Sequence, residues 1–210
     1  MDEYGKIKIE GYIGRLIENC IGNGVMAADY QPFIKAFQEK LDSEGLFCGE
    51  FWGKWFTSAA LAYEYNPRPE YLKKLEDAVE GLLAAQEEDG RISASKEDFT
   101  PWDIWGRKYA LLGLLAYYDL TRSGRVLEAA KRMADQLISK TTGDGGRRIS
   151  DTGLEALRGL SSCSVLQPFV LLYERTEKER YLSYAENLDA SWSLPSAYSP
   201  EGLRLLEQAV

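Results

Sequence analysis

Two short segments each set a pair of tryptophans beside a glycine, a cation and a carboxylate. They are Phe47-Cys48-Gly49-Glu50-Phe51-Trp52-Gly53-Lys54-Trp55-Phe56 and Thr100-Pro101-Trp102-Asp103-Ile104-Trp105-Gly106-Arg107-Lys108-Tyr109. Aromatic faces stack on the apolar faces of sugar rings, and charged groups beside them give the ring hydroxyls partners. A pocket of this composition suits carbohydrate. Glu50, Trp52, Trp55, Trp102, Asp103, Trp105, Lys108 and Tyr109 are therefore the candidate substrate-binding residues. Each also has a plain structural role open to it. Trp52, Trp55 and Phe56 fall at helical spacing and would equally fill a core. Thr100-Pro101-Trp102-Asp103 reads as a helix start, with a capping hydroxyl and a proline in the first turn, which gives Asp103 a structural task. Lys54, Arg107 and Lys108 interrupt apolar helices, either as pocket groups or as side chains that snorkel to a rim.

Glycoside hydrolysis ordinarily needs two carboxyl groups flanking the scissile bond. Glu50, Asp98 and Asp103 are the local candidates, but their spacing does not set any two face to face, and no catalytic residue is assigned. The chain has no histidine, which removes the commonest general base and metal ligand. Cys20, Cys48 and Cys163 are far apart and form no paired motif. Neither a zinc site nor a redox centre is expected from them, nor any cofactor; buried thiols are the simpler reading.

The elements that must position these residues repeat. Tyr63, Tyr118 and Tyr173 recur at an equal spacing of 55 residues, and an apolar pair begins eight residues after each: Tyr71-Leu72, Val126-Leu127 and Tyr181-Leu182. In each copy an apolar helix comes first, then a polar turn, then an amphipathic helix. Tyr109 to Tyr118 carries no charge, as expected of a helix buried on every side. The helix after it has a single stripe of Val126, Ala130, Met133 and Leu137, as expected of one that packs by one face. Pro168 is expected to kink the third inner helix, and Thr176-Glu177-Lys178-Glu179 reads as a capping box. Asp89 to Ser93 and Gly146 to Ser150 read as turns leading into short extended segments. The spacing predicts an all-α fold of antiparallel hairpins, about 9–42, 51–87, 103–140 and 156–192, in one domain over 1–210. Alternating buried and one-sided helices fit either a straight solenoid or a closed ring. The 55-residue period is long for a solenoid and favours an (α/α) toroid. Six hairpins at that period would take about 330 residues, so the toroid is expected to be incomplete, with about four of six hairpins. An open ring leaves an apolar edge, which a second copy of the chain or further C-terminal domains would cover.

The Trp-rich blocks, together with Leu82-Leu83-Ala84-Ala85-Gln86, Leu114-Leu115-Ala116-Tyr117-Tyr118 and Ser161 to Pro168, resemble glycoside hydrolase family 127, the β-L-arabinofuranosidases. The likeness spans about residues 10 to 190. It implies a six-hairpin toroid followed by β-sandwich domains. It also implies a cysteine nucleophile held in a zinc site of one Glu and three Cys, with a separate Glu as acid and base, all from later hairpins. This chain has no adjacent cysteine pair and no matching Glu-x-Cys segment, and Cys163 in its Ser-Ser-Cys-Ser context does not match the nucleophile motif. The chain is therefore expected to lack the reacting residues and to be inactive alone. Members of the family carry histidines where Trp102 and Tyr109 stand here, a difference that bears on the choice of sugar.

The remaining composition narrows the partners. The 210 residues are 45% hydrophobic and 28% charged, with a net charge of −8. An acidic surface repels phosphate backbones, so nucleic acid is not an expected partner. No apolar run is long enough to span a membrane. Met1 to Lys6 lacks the pattern of a secretory signal, which makes the cytoplasm the expected compartment. An oligosaccharide, arabinose-containing by the resemblance, is the expected ligand. Two other readings stay open: a helical-repeat interaction module without sugar binding, and another toroid enzyme such as an unsaturated glucuronyl hydrolase or an epimerase-like protein.

Overall fold

The computed structural model describes residues 7–44, 47–142, 146–152 and 160–192. These form α1 (Gly11–Asn19), α2 (Gln31–Glu39), α3 (Cys48–Tyr65), α4 (Pro69–Leu83), α5 (Pro101–Thr121), α6 (Gly124–Thr141), α7 (Leu160–Cys163), α8 (Leu166–Thr176) and α9 (Glu179–Trp192). A π-helical turn, Cys20–Val25, follows α1, and single 3-10 turns lie at Leu41–Glu44 and Ile149–Asp151. No strand occurs among the described residues. The first four residues assigned to the last hairpin, 156–159, lie outside the described residues.

The helices stack in two layers. α3, α5 and α8 form an inner row, and α4, α6 and α9 pack behind them, with α2 against α3 and α4. The outer helices bury one stripe each: Tyr71, Leu75, Ala78, Val79 and Leu82 on α4, and Val126, Ala130, Met133 and Leu137 on α6. That is the one-sided burial the sequence pattern requires. Successive inner helices run parallel and in register with the repeat. Gly49 meets Gly106 near their N-termini, and the Phe56 ring lies 6.3 Å from that of Tyr117 further along. This alternation of parallel inner and antiparallel outer helices is the arrangement of an (α/α) toroid.

Glycine sets how closely the inner helices approach. A Cβ on Gly53 would fall 2.3 Å from the backbone oxygen of Tyr109. No side-chain rotation relieves a clash with main chain, so Gly53→Ala must push α3 off α5. The expected cost is about 1–3 kcal/mol, measurable by urea denaturation; an unchanged midpoint would mean that the helices can part freely.

The inner helices are less enclosed than their composition suggests. On α3, Phe51, Lys54, Ser58 and Leu61 share one face, and Leu61 is 66% exposed. This face looks toward the centre of the ring, where no described residue covers it. Apolar exposure also marks the edge of the layer: Tyr12, Ile13 and Leu16 of α1 lie at 67%, 54% and 46% exposure.

Three local expectations need adjustment. The third inner helix is split rather than bent: α7 ends at Cys163 and α8 begins at Leu166, so Pro168 sits in the first turn of a new helix, where its missing N–H costs nothing. Thr176 does not open a capping box. It is the last residue of α8, its hydroxyl donates to the Leu172 carbonyl, and the chain reverses through Glu177 at φ 53°. The segments after the outer helices are not extended strands. Residues 91–95 are buried irregular backbone, and Ile149–Asp151 is a 3-10 turn.

Candidate functional site

The inner-helix N-termini gather five of the charged and aromatic residues singled out in the sequence. α3 brings Glu50 and Lys54, one turn apart and ion-paired. α5 brings Trp105, Lys108 and Tyr109. The Trp105 and Tyr109 rings meet edge to face, with centroids 5.2 Å apart. The Lys108 ammonium lies 4.7 Å from both ring centroids, and the Lys54 ammonium reaches the same Tyr109 ring from α3 at 5.2 Å. One turn nearer the end of α5, Trp102 is 36% exposed and packs edge-on against Phe47, centroids 5.3 Å apart. Helical spacing explains the assembly. Positions 102, 105 and 109 lie on one face of α5, and positions 50 and 54 on one face of α3.

Both lysines lie over aromatic faces, where the ring quadrupole attracts a cation, but their charges are supported differently. Glu50 accepts from Lys54 and holds its ammonium more firmly protonated, against a small opposing effect of burial. Lys108 is pushed the other way, by burial first and then by the nearby charge of Lys54, with Glu50 offsetting only part. The indole N–H of Trp105 is buried without an acceptor among the described residues.

The other candidates are placed elsewhere. Trp52 is fully buried and stacks on Phe56, centroids 4.8 Å apart. It faces the interior between α3 and α5 and presents no surface to a ligand. Trp55 points away from α5: it stacks on Tyr30 at 5.1 Å, and its indole N–H donates to the Val25 carbonyl at 2.9 Å. It ties α3 to the first two helices. Asp103 is also inside. Its carboxylate accepts from Arg91 at 3.0 Å and from the Phe99 N–H at 2.9 Å, and it pairs with Arg107 at 2.8 Å. Its own N–H takes the Thr100 hydroxyl as cap at 3.2 Å. The helix start read in the sequence is real, and it consumes the residue once offered for substrate.

Arg107 does not snorkel. It is fully buried, bridging Asp103, Asp98 and the side-chain carbonyl of Gln136 on α6. Gln136 in turn donates to Asp89 at 2.9 Å, and Lys140 pairs with Asp98 at 2.9 Å. The network clamps residues 87–99 onto α5 and α6, directly beneath the turn that carries Trp102 and Trp105. Only the presence of Arg107 in an apolar helix hinted at it; its partners lie on other elements.

The network carries a pH signature. Burial raises the Asp98 carboxyl, but the hydrogen bond from Lys140 and the charges of Arg107, Lys140 and Arg91 outweigh it and hold the group below its ordinary value. The stabilisation is therefore present above the ordinary carboxylate range and is lost as pH falls through the depressed value. Unfolding free energy should decline below about pH 4, and Asp98→Asn should flatten that decline; an equal decline in the variant would assign it to other groups.

The cysteines are not arranged for chemistry. No disulfide joins them. Burial, and then Asp151, push the Cys163 thiol up to about 12; burial and Asp42 raise Cys48. Neither resembles an activated thiolate. Among the described residues no group of three or more His, Cys, Asp or Glu could hold a metal ion. The described residues thus do not fit the zinc centre that the resemblance implies.

Comparison with known proteins gives a consistent picture. A family model for the β-L-arabinofuranosidase GH127 catalytic domain matches residues 8–204. The non-reducing end β-L-arabinofuranosidase of Bifidobacterium longum subsp. longum is 28% identical over 171 residues, covering 70% of this chain and 24% of that protein. A crystal structure of a GH127 β-L-arabinofuranosidase from Geobacillus stearothermophilus T6 superposes with a TM-score of 0.67 at 17% identity, covering 91% of this chain and 33% of that one. The chain spans about a quarter of the curated relative and a third of the solved one.

Proposed function

The chain belongs to the β-L-arabinofuranosidase family GH127, and on that premise we propose that its inner-helix rim binds the end of an arabinose-containing oligosaccharide. The observation that carries this reading is the convergence of Trp105, Lys108 and Tyr109 on α5 with Glu50 and Lys54 on α3. An aromatic wall offers a sugar its stacking surface, and Glu50 and the two ammonium groups offer its hydroxyls an acceptor and donors. Trp102 extends the wall toward solvent. Trp52, Trp55 and Asp103 support the rim from within and take no part in contact.

The chain binds sugar without turning it over, because the described residues supply neither an activated nucleophile nor a metal centre. Titration with an arabinose-containing oligosaccharide should change tryptophan fluorescence, through Trp105 and Trp102, and Trp105→Ala should remove most of that change. No response up to high millimolar sugar would overturn the reading. Release of p-nitrophenol from p-nitrophenyl β-L-arabinofuranoside by the chain alone would overturn the claim that it lacks the reacting groups.

The exposed stripe on α1 has a matching role. Tyr12, Ile13 and Leu16 present apolar surface at the edge of the layer, and a second copy of the chain packing there would bury it. Sedimentation should find dimers that Ile13→Lys dissociates; a monomer at all concentrations would leave the edge without a like partner.

A further inference from the structure

The charge balance of the rim points to a more specific ligand, an inference that rests on the sugar-binding reading above. Two ammonium groups, Lys54 and Lys108, border the Tyr109 ring, while Glu50 is the carboxylate paired there. That carboxylate is committed to Lys54. No carboxylate among the described residues forms an ion pair with Lys108, although the chain as a whole carries a net charge of −8. The other nearby acid, Asp42, is also committed: its carboxylate accepts from the Cys48 and Gly49 N–H groups at the start of α3. The rim therefore holds one positive charge more than its own residues balance, in a protein with a surplus of acid elsewhere.

Lys108 is fixed in place as well as uncompensated. Its ammonium lies at the same 4.7 Å from both Trp105 and Tyr109, so it stands beside the faces on which a sugar ring would stack. Its surroundings already disfavour the charge, through burial and the neighbouring Lys54. A half-buried cation without a counter-ion is costly to keep, and a ligand that brings the missing negative charge recovers that cost. A neutral pentose does not do so.

We propose that this rim recognises a carboxylate-bearing sugar, a uronate, with the Lys108 ammonium as the partner of its carboxylate and the Trp105 and Tyr109 rings as the walls of its subsite. Lys54, already paired, acts as a second and weaker attraction.

Calorimetric titration of the full chain tests this with three probes: α-1,4-digalacturonate, its neutral counterpart α-1,4-galactobiose, and β-arabinobiose. Digalacturonate is expected to bind roughly tenfold or more tighter than galactobiose at low salt, with the difference shrinking as salt rises. Lys108→Met should abolish the preference, and Lys108→Arg, which keeps the charge, should retain most of it. Thermal melts should show both variants folded, since removing a poorly compensated charge does not weaken the packing of α5. Equal affinity for digalacturonate and galactobiose, or a preference that survives in Lys108→Met, would overturn the inference. Binding of arabinobiose without digalacturonate would overturn it while leaving the sugar-binding reading intact. Binding of none of the three would overturn both.

Discussion

Replacing Arg107 with Met is expected to cost about 3–5 kcal/mol of stability, because it strips a buried carboxylate of one partner without removing the carboxylate. Arg107 and the Asp103 side chain are both fully buried. Asp103 would keep Arg91 and the Phe99 N–H, but Asp98 would retain only Lys140 and the more distant Arg91, and Gln136 would lose its donor. Asp103→Asn alone should also destabilise. The double variant should cost clearly less than the two single costs together, since each single change leaves the other charge stranded. Full additivity in urea denaturation would show that the two groups are not coupled. The same variant tests the link between network and rim. With residues 87–99 released, the first turn of α5 loses its support, and sugar-induced fluorescence should fall even in the fraction that remains folded.

The second large effect separates two tryptophans that the sequence presents alike. Trp52→Ala should destabilise the protein by about 3–5 kcal/mol, the usual cost of emptying a large buried site. Gly113 is shaped around that indole: a Cβ there would fall 2.5 Å from the Trp52 ring. Trp52→Phe should cost much less, since it keeps much of the packing and also removes a buried indole N–H that has no acceptor among the described residues. Trp105→Ala should leave stability nearly unchanged and weaken sugar binding by about 1 kcal/mol, roughly fivefold in Kd. Thermal melts and titrations of the three variants decide the matter. A reversed pattern, with Trp105 structural and Trp52 needed for binding, would contradict the assignment of the two faces.

Much of the scaffold is legible in the chain itself. The recurrence of Tyr63, Tyr118 and Tyr173 fixes the repeat, and equivalent positions of successive inner helices do meet: Lys54 reaches Tyr109, and Asp119 pairs with Arg175. The stripe from Val126 to Leu137 gives an outer helix its buried face. Thr100 and Pro101 start α5 where their chemistry dictates. These features are local or periodic, and a helix expresses them whatever surrounds it.

The site divides along another line. Arg107 and Lys108 are neighbours in sequence, yet one is fully buried in an ion network and the other lies in the aromatic rim. Helical geometry turns adjacent side chains by about 100°, so the sequence requires that they diverge. It does not say which of them meets the interior. That choice depends on Asp98 in a loop, Gln136 on α6, and the glycine contacts that bring α3 against α5. The same holds for Trp52 and Trp105. Composition alone determined that this protein would be helical, repeated and rich in groups that suit a sugar. Which of those groups face outward was decided only by tertiary packing, because the rotation of each helix about its axis is set by what its neighbours bury.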